Sequence, residues 1–215
     1  STRGRANALR EAMNGNLDLD EAFSAEFKRE VLDLCIGCKG CAIDCPSGVD
    51  MAKLKAEVTH EHHEREGPTL RDRLFGNFET AARLGSALAP LSNAAAAVPG
   101  ARWLLEGALG IDSERPLPTF HRTTFRDWFE DRGGSVISTE RASAVTGDGP
   151  RRRVALYADT ITNHCNPAAG KAAVDVLESA GIAVTVPDGV GDTGRPAFSK
   201  GFLDVARRRA ETNVE

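Results

Sequence analysis

The chain has 215 residues, with 27 Lys and Arg against 31 Asp and Glu and a formal net charge of -4. That balance argues against a dominant nucleic-acid-binding surface, which needs a basic excess. At 41% hydrophobic and 6% aromatic residues, the sequence can bury a core, built mainly from Ala, Leu and Val. The most apolar stretch, Leu84 to Val98, is broken by Pro90, Ser92 and Asn93, and falls short of the roughly 20 apolar residues of a membrane span. Ser1 to Arg10 holds no apolar run of the secretory type.

Ala6, Leu9, Arg10 and Met13 recur at helical spacing, and Asn14-Gly15 supplies a stop. A second helix is expected from Asp18, with Glu21 as capping-box partner and Phe23, Phe27, Val31 and Leu34 as its apolar stripe. Met51, Leu54 and Val58 mark a third, running to about Glu66, where Gly67-Pro68 ends it. No hairpin signal flanks the cysteine-rich segment between these helices, so residues 1–66 are expected to form an all-helical module.

Residues 67–132 read as a helical linker, cut at Pro90 and Pro99-Gly100 and extended at Arg115 to Pro118. Phe125, Trp128 and Phe129 form a short amphipathic piece near its end. Gly133 to Pro150, with few large apolar residues, marks a domain boundary. The period then changes. Val154 to Ala158 and Ile182 to Val186 read as buried strands, with a helix from Asn166-Pro167 to Gly181 between them. Phe198 to about Glu211 is a further helix. A strand–helix–strand unit implies parallel strands and a right-handed crossover over 151–215. The expected class is therefore α plus α/β.

Of five cysteines, four lie within eleven residues: Cys35, Cys38, Cys41 and Cys45. With Pro46 they read C-x2-C-x2-C-x3-C-P, the spacing of a bacterial [4Fe–4S] run. Thiolates at intervals of three can wrap one face of a cube, and Gly37 and Gly40 let the backbone approach it. Such a centre implies a reducing compartment. The alternative is zinc, which prefers two C-x2-C pairs separated by a dozen or more residues. In two-cluster proteins the fourth cysteine of such a run serves the other cluster. Cys45 is therefore expected to face away from Cys35, Cys38 and Cys41, toward Ser1, with the missing cysteines N-terminal to Ser1.

Ser1 to Asn7, the cysteine run with Pro46, Val49 to Lys55, Arg71 to Asn77 and Gly194-Arg195-Pro196 together resemble the iron–sulfur portion of FAD-linked D-2-hydroxy-acid dehydrogenases. That family oxidises D-lactate, glycolate and D-2-hydroxyglutarate. The resemblance implies a helical ferredoxin-type module in which Cys35, Cys38, Cys41 and Cys45 hold [4Fe–4S] clusters. It also implies FAD on an upstream domain or partner subunit, with a quinone or carrier protein as acceptor. On this reading the segment carries electrons and catalyses nothing alone. Its place is cytoplasmic, or peripheral at the inner face of the membrane. The rival arrangements are a separate iron–sulfur subunit of a membrane-associated glycolate or glycerol-3-phosphate type dehydrogenase, and a zinc-stabilised scaffold without redox function.

Residues 151–215 resemble the first half of the "CCG" domain of these proteins, shared with heterodisulfide reductases and anaerobic glycerol-3-phosphate dehydrogenases. Cys165 matches its first cysteine, but Asp192-Thr193-Gly194 stands where Cys-Cys-Gly is expected. Cys165 is therefore expected to be an ordinary thiol, with His164 and Asp192 a poor ligand set beside it. Thr160 to His164 occupies the place where open α/β sheets bind ligands. His60, His62 and His63 are expected on a solvated helix face, and Arg151 to Arg153 and Arg207 to Arg209 on solvated flanks. Trp103, Trp128 and Phe129 are expected to anchor packing.

Overall fold

A computed structural model describes residues 1–138 and 152–214. They divide into two compact units, one of residues 1–76 and 195–206, the other of residues 77–194 and 207–215.

The first unit is helical among its described residues. Helix α1 (Thr2–Met13) is capped by the Ser1 hydroxyl, which accepts from the Gly4 amide at 3.2 Å. The expected second helix is instead broken into α2 (Leu19–Ala22), α3 (Ala25–Phe27) and a π-helical turn over Lys28–Leu32. Ser24 is the cause. Its hydroxyl accepts from the Phe27 amide at 3.1 Å and starts a new turn, leaving Leu34 exposed instead of on the apolar stripe. After the single turn α4 (Gly40–Asp44), α5 (Met51–Glu66) runs between the expected limits, capped by Asp50 and stopped at Gly67. A small core gathers Leu9, Leu32 and Met51, with Phe27, Leu54 and Val58 against it. Helix α6 (Leu70–Gly76) completes the N-terminal part.

The second unit begins with α7 (Phe78–Ala87), α8 (Leu91–Ala97) and α9 (Pro99–Leu109), the breaks falling at the expected prolines. Helix α10 (Phe125–Asp131) opens with a capping box between Thr124 and Asp127. Strand β1 (Ser135–Ser138) falls inside the segment expected to carry only a boundary, of which residues 139–150 lie outside the described residues. Strand β2 (Arg153–Ala155), α11 (Pro167–Ser179) and β3 (Ala183–Asp188) supply the βαβ unit. The sheet is parallel throughout, in order β1-β3-β2. Phe125, Phe129, Val174, Val184 and Val186 form its core, with Trp128 packed alongside. Trp103, expected as an anchor, is 70% exposed on α9, because that helix buries little of its surface.

The expected C-terminal helix is split into α12 (Arg195–Ser199) and α13 (Leu203–Val214). Gly201 sits between them at φ +74°, where an added Cβ would come within 2.7 Å of the His60 amide nitrogen. Only glycine fits so close a crossing of backbone and α5.

Candidate metal centre

The cysteine loop spans the gap between the π-helical turn and α5. Its backbone bends sharply at Gly37 (φ 68°) and at Lys39, the non-glycine residue held at φ 58°. That left-handed bend opens α4, which carries Cys41 on its first turn and ends at Cys45. Cys35, Cys41 and Cys45 are half-buried and Cys38 is exposed. Two sulfurs have backbone donors on them. The Met51 amide donates to Cys41 Sγ at 3.3 Å. At Cys45, the amides of Val49, then Ser47 and Gly48, outweigh burial and hold the thiol below its ordinary value. Amides aimed at sulfur favour thiolate, the form in which cysteine binds metal.

Cations surround the loop. Lys55 Nζ donates to the Cys35 carbonyl at 3.0 Å and lies 3.3 Å from Asp33. Lys39 pairs with Asp50 at 2.9 Å, which holds that carboxylate below its ordinary range, and lies over the Phe198 ring. Arg195 Nη2 donates to the Gly37 carbonyl at 3.4 Å. The donor set, the sulfur-directed amides and the glycine at Gly37 all fit a thiolate-held iron–sulfur cluster. The expected convergence of Cys35, Cys38 and Cys41 is not present: among the described residues no three His, Cys, Asp or Glu side chains are grouped as a metal-ligand set. Thiols have no attraction for one another, and ligand geometry of this kind is completed by the metal. Ser47 and Val49, just after Cys45, line a cavity of about 1060 Å³ with Ser1, Arg3, Arg10 and Met13.

The histidines of α5 are not on a solvated face. His62 Nδ1 contacts the Phe23 carbonyl at 2.7 Å, and His60 Nδ1 contacts the Gly201 carbonyl at 3.0 Å. His63 is buried against Phe202, its Nε2 3.5 Å from Asp72. Around Asp72 lies a cluster that sequence reasoning missed. The carboxylate accepts from Thr69 Oγ1 at 2.7 Å, Lys28 Nζ at 3.0 Å and Lys200 Nζ at 3.1 Å. Burial pushes its pKa up, but Thr69 and the two ammonium groups win and hold the carboxyl well below the usual carboxylate range. For His63 burial dominates, joined by Lys28, and keeps the ring neutral against the pull of Asp72. No local motif links residues 28, 63, 69, 72 and 200; the fold alone brings them together.

In the second unit, Asp192 Oδ2 accepts from Thr160 Oγ1 at 3.1 Å and Oδ1 from the Gly194 amide at 2.7 Å. His164 Nδ1 faces Ser86 Oγ at 3.0 Å and its Nε2 faces Asn163 Nδ2 at 3.2 Å. Burial, then Asp159, raises the Cys165 thiol. Burial also lowers His164. Thr160 and His164 do line a cavity of about 560 Å³ at the carboxyl ends of β2 and β3, with Arg83, Arg126 and Val190. Arg209 is ion-paired with Glu79 and so is not a free solvated cation as expected; Arg151 lies outside the described residues.

No protein-family model matches the chain, and no solved structure matches it significantly. Curated proteins do. The chain is 30% identical over 148 residues to one subunit of the anaerobic glycerol-3-phosphate dehydrogenase of Escherichia coli, covering 69% of this chain and 35% of that one. It is 32% identical over 134 residues to a D-2-hydroxyglutarate dehydrogenase of Haemophilus influenzae, covering 61% of this chain and 12% of that one. A D-2-hydroxyglutarate dehydrogenase of Escherichia coli is 23% identical over 194 residues, 90% of this chain and 18% of that one. The chain thus spans about a third of the first relative and under a fifth of the others. It is homologous to both kinds of dehydrogenase, in agreement with the resemblance carried by its motifs.

Proposed function

We propose that this chain is an electron-carrying iron–sulfur segment of a flavin-dependent 2-hydroxy-acid dehydrogenase. Residues 1–66 form a ferredoxin-type module, residues 67–132 a helical linker and residues 151–215 a partial CCG-type domain. Cys35, Cys38, Cys41 and Cys45 hold the clusters, and FAD belongs to another domain or subunit. The observation that carries this reading is the C-x2-C-x2-C-x3-C-P run in a chain homologous to dehydrogenases. Both relatives' names denote oxidation of a hydroxyl-bearing carbon, which releases electrons that must reach an acceptor. A bound cluster would supply a one-electron carrier; the protein holds the thiolates and aims amides at the sulfurs of Cys41 and Cys45. The acceptor is a quinone or a carrier protein. No helix among the described residues is long and apolar enough to cross a membrane. We place the segment in the cytoplasm, where thiols stay reduced.

The 30% identity to a glycerol-3-phosphate dehydrogenase subunit supports a second arrangement, in which the same electron carrier is a separate subunit. Genomic context separates the two. Anaerobically purified full-length protein should show broad visible absorbance with iron and acid-labile sulfide. Stoichiometric zinc without sulfide would overturn the reading in favour of a zinc-stabilised scaffold.

A further inference from the structure

Two cations reach the cysteine loop from distant parts of the sequence, and both bind backbone carbonyls. Lys55, on α5, has a side chain only 16% exposed and donates to the carbonyl of Cys35 at 3.0 Å. Arg195, at the start of α12, donates to the carbonyl of Gly37 at 3.4 Å. Both peptide bonds are trans. In a trans peptide the C=O and the following N–H point to opposite edges of the plane. Holding the carbonyls of Cys35 and Gly37 therefore turns the amides of Ile36 and Cys38 the other way. Neither amide donates to a protein acceptor among the described residues, and Ile36 and Cys38 are both exposed. A free backbone N–H is a strong donor that seeks an acceptor.

The loop is braced on both sides of these peptides. The Cys35 amide donates to the Leu32 carbonyl at 2.9 Å, which anchors its start. Lys39, locked at φ 58°, pairs with Asp50 and sits over Phe198, three residues after Arg195. Freedom to rotate the two peptides is thus confined to what Lys55 and Arg195 allow.

We propose that Lys55 and Arg195 are positioning residues for the electron carrier: by gripping the carbonyls of Cys35 and Gly37 they keep the amides of Ile36 and Cys38 available to sulfur, and so raise the reduction potential of the cluster this loop holds. The inference rests on the cluster-holding role proposed above. One-electron reduction adds one unit of negative charge to the cluster. Donors on its sulfurs and nearby cations favour the more negative state, and the potential rises.

The test is a redox titration, followed by electron paramagnetic resonance, of full-length protein with Lys55→Met or Arg195→Gln. Each is expected to lower one midpoint potential while iron, acid-labile sulfide and visible absorbance stay at wild-type levels. Lys55→Gln, which keeps a donor without the charge, is expected to shift less than Lys55→Met, and Lys55→Arg to restore the wild-type value. Unchanged midpoints in both Lys55→Met and Arg195→Gln would overturn the inference and leave the cluster assignment standing. Lack of iron and sulfide in the wild-type protein would overturn both. Should Lys55→Met assemble no cluster, Lys55→Gln and Arg195→Gln decide by the same criterion.

Discussion

Each unit has its own kind of internal packing. In the second, Phe125 and Phe129 lie with ring centroids 6.0 Å apart and pack with Val174, Val184 and Val186 against a parallel sheet. In the first, the apolar core cluster is Leu9, Leu32 and Met51, and beside it Asp72 is buried with ion pairs to Lys28 and Lys200. Apolar packing is non-directional and scales with area. A buried charge cluster stabilises only while every partner is present, since a lone charge left inside is costly. The unit that carries the cysteine loop is therefore the one that depends on individual polar ties.

Replacing Phe125 should have the largest effect on stability. Its ring fills the space where a Cβ on Gly170 would come within 2.5 Å of Cδ2. Phe125→Ala should cost about 3–5 kcal/mol, as large-to-small changes of a buried ring do. Both tryptophans, Trp103 and Trp128, belong to the second unit, so intrinsic fluorescence during denaturant unfolding reads that unit. A loss under about 1 kcal/mol would show that packing is not what holds it.

Asp72→Asn is the matching change in the first unit. It leaves Lys28 and Lys200 without their carboxylate, and an expected loss of about 3 kcal/mol follows from breaking a buried pair on one side. Faster amide hydrogen exchange along α5 would report it. An equal shift in tryptophan fluorescence would break the comparison, since the effect would then not be confined to the unit that owns the cluster.

Local signals were legible and distant ones were not. Asn14-Gly15, Gly67-Pro68, Pro90 and Pro99 stop or start helices at the expected places, because backbone sterics act within a few residues. The βαβ order was legible from the change of period, whereas β1 was hidden in a segment with little apolar content. The solvated reading of His60, His62 and His63 failed because what covers them comes from residues far away: Phe23, Asp72, Gly201 and Phe202. The cysteine spacing named a candidate site, but Lys55 and Arg195 beside it carry no motif and appear only once the chain is folded.

Acid gives a smaller and more discriminating effect. His63 in the first unit and His164 in the second are both held neutral, chiefly by burial. Each is protonated in the unfolded chain below about pH 6.5, so the folded state binds fewer protons. Stability should fall in both units as pH drops from 7 to 5, by at most about 1.4 kcal/mol per pH unit for each histidine. Asp72 behaves differently in range. Its lowered pKa gives stability that is fully present above about pH 4 and drains away below it. Unfolding curves at pH 7, 5 and 3.5 should therefore show parallel losses first, then an extra loss in α5 exchange alone. Equal sensitivity of both units below pH 4 would show that Asp72 is not the tie that distinguishes them.

The smallest expected effect belongs to Cys165. The resemblance to a CCG domain implies a metal or redox ligand here, and its place after β2, at the end of the π-helical turn over Ile161–Cys165, suits that. Its neighbours argue otherwise. The ring nitrogens of His164 face Ser86 and Asn163, and the carboxylate of Asp192 is shared between Thr160 and the Gly194 amide. Burial, then Asp159, raises the thiol, so at neutral pH it is protonated and a poor ligand. In the first unit the opposite holds: backbone amides lower Cys45 and favour its thiolate. Cys165→Ser in the full-length protein should therefore leave iron content, acid-labile sulfide and dehydrogenase activity within experimental error. Cys45→Ser should lower all of them. Loss of a metal equivalent or of most activity in Cys165→Ser would mean that the loop with Asp192, Thr193 and Gly194 is a working site, and that the contrast between the two cysteines is one of degree.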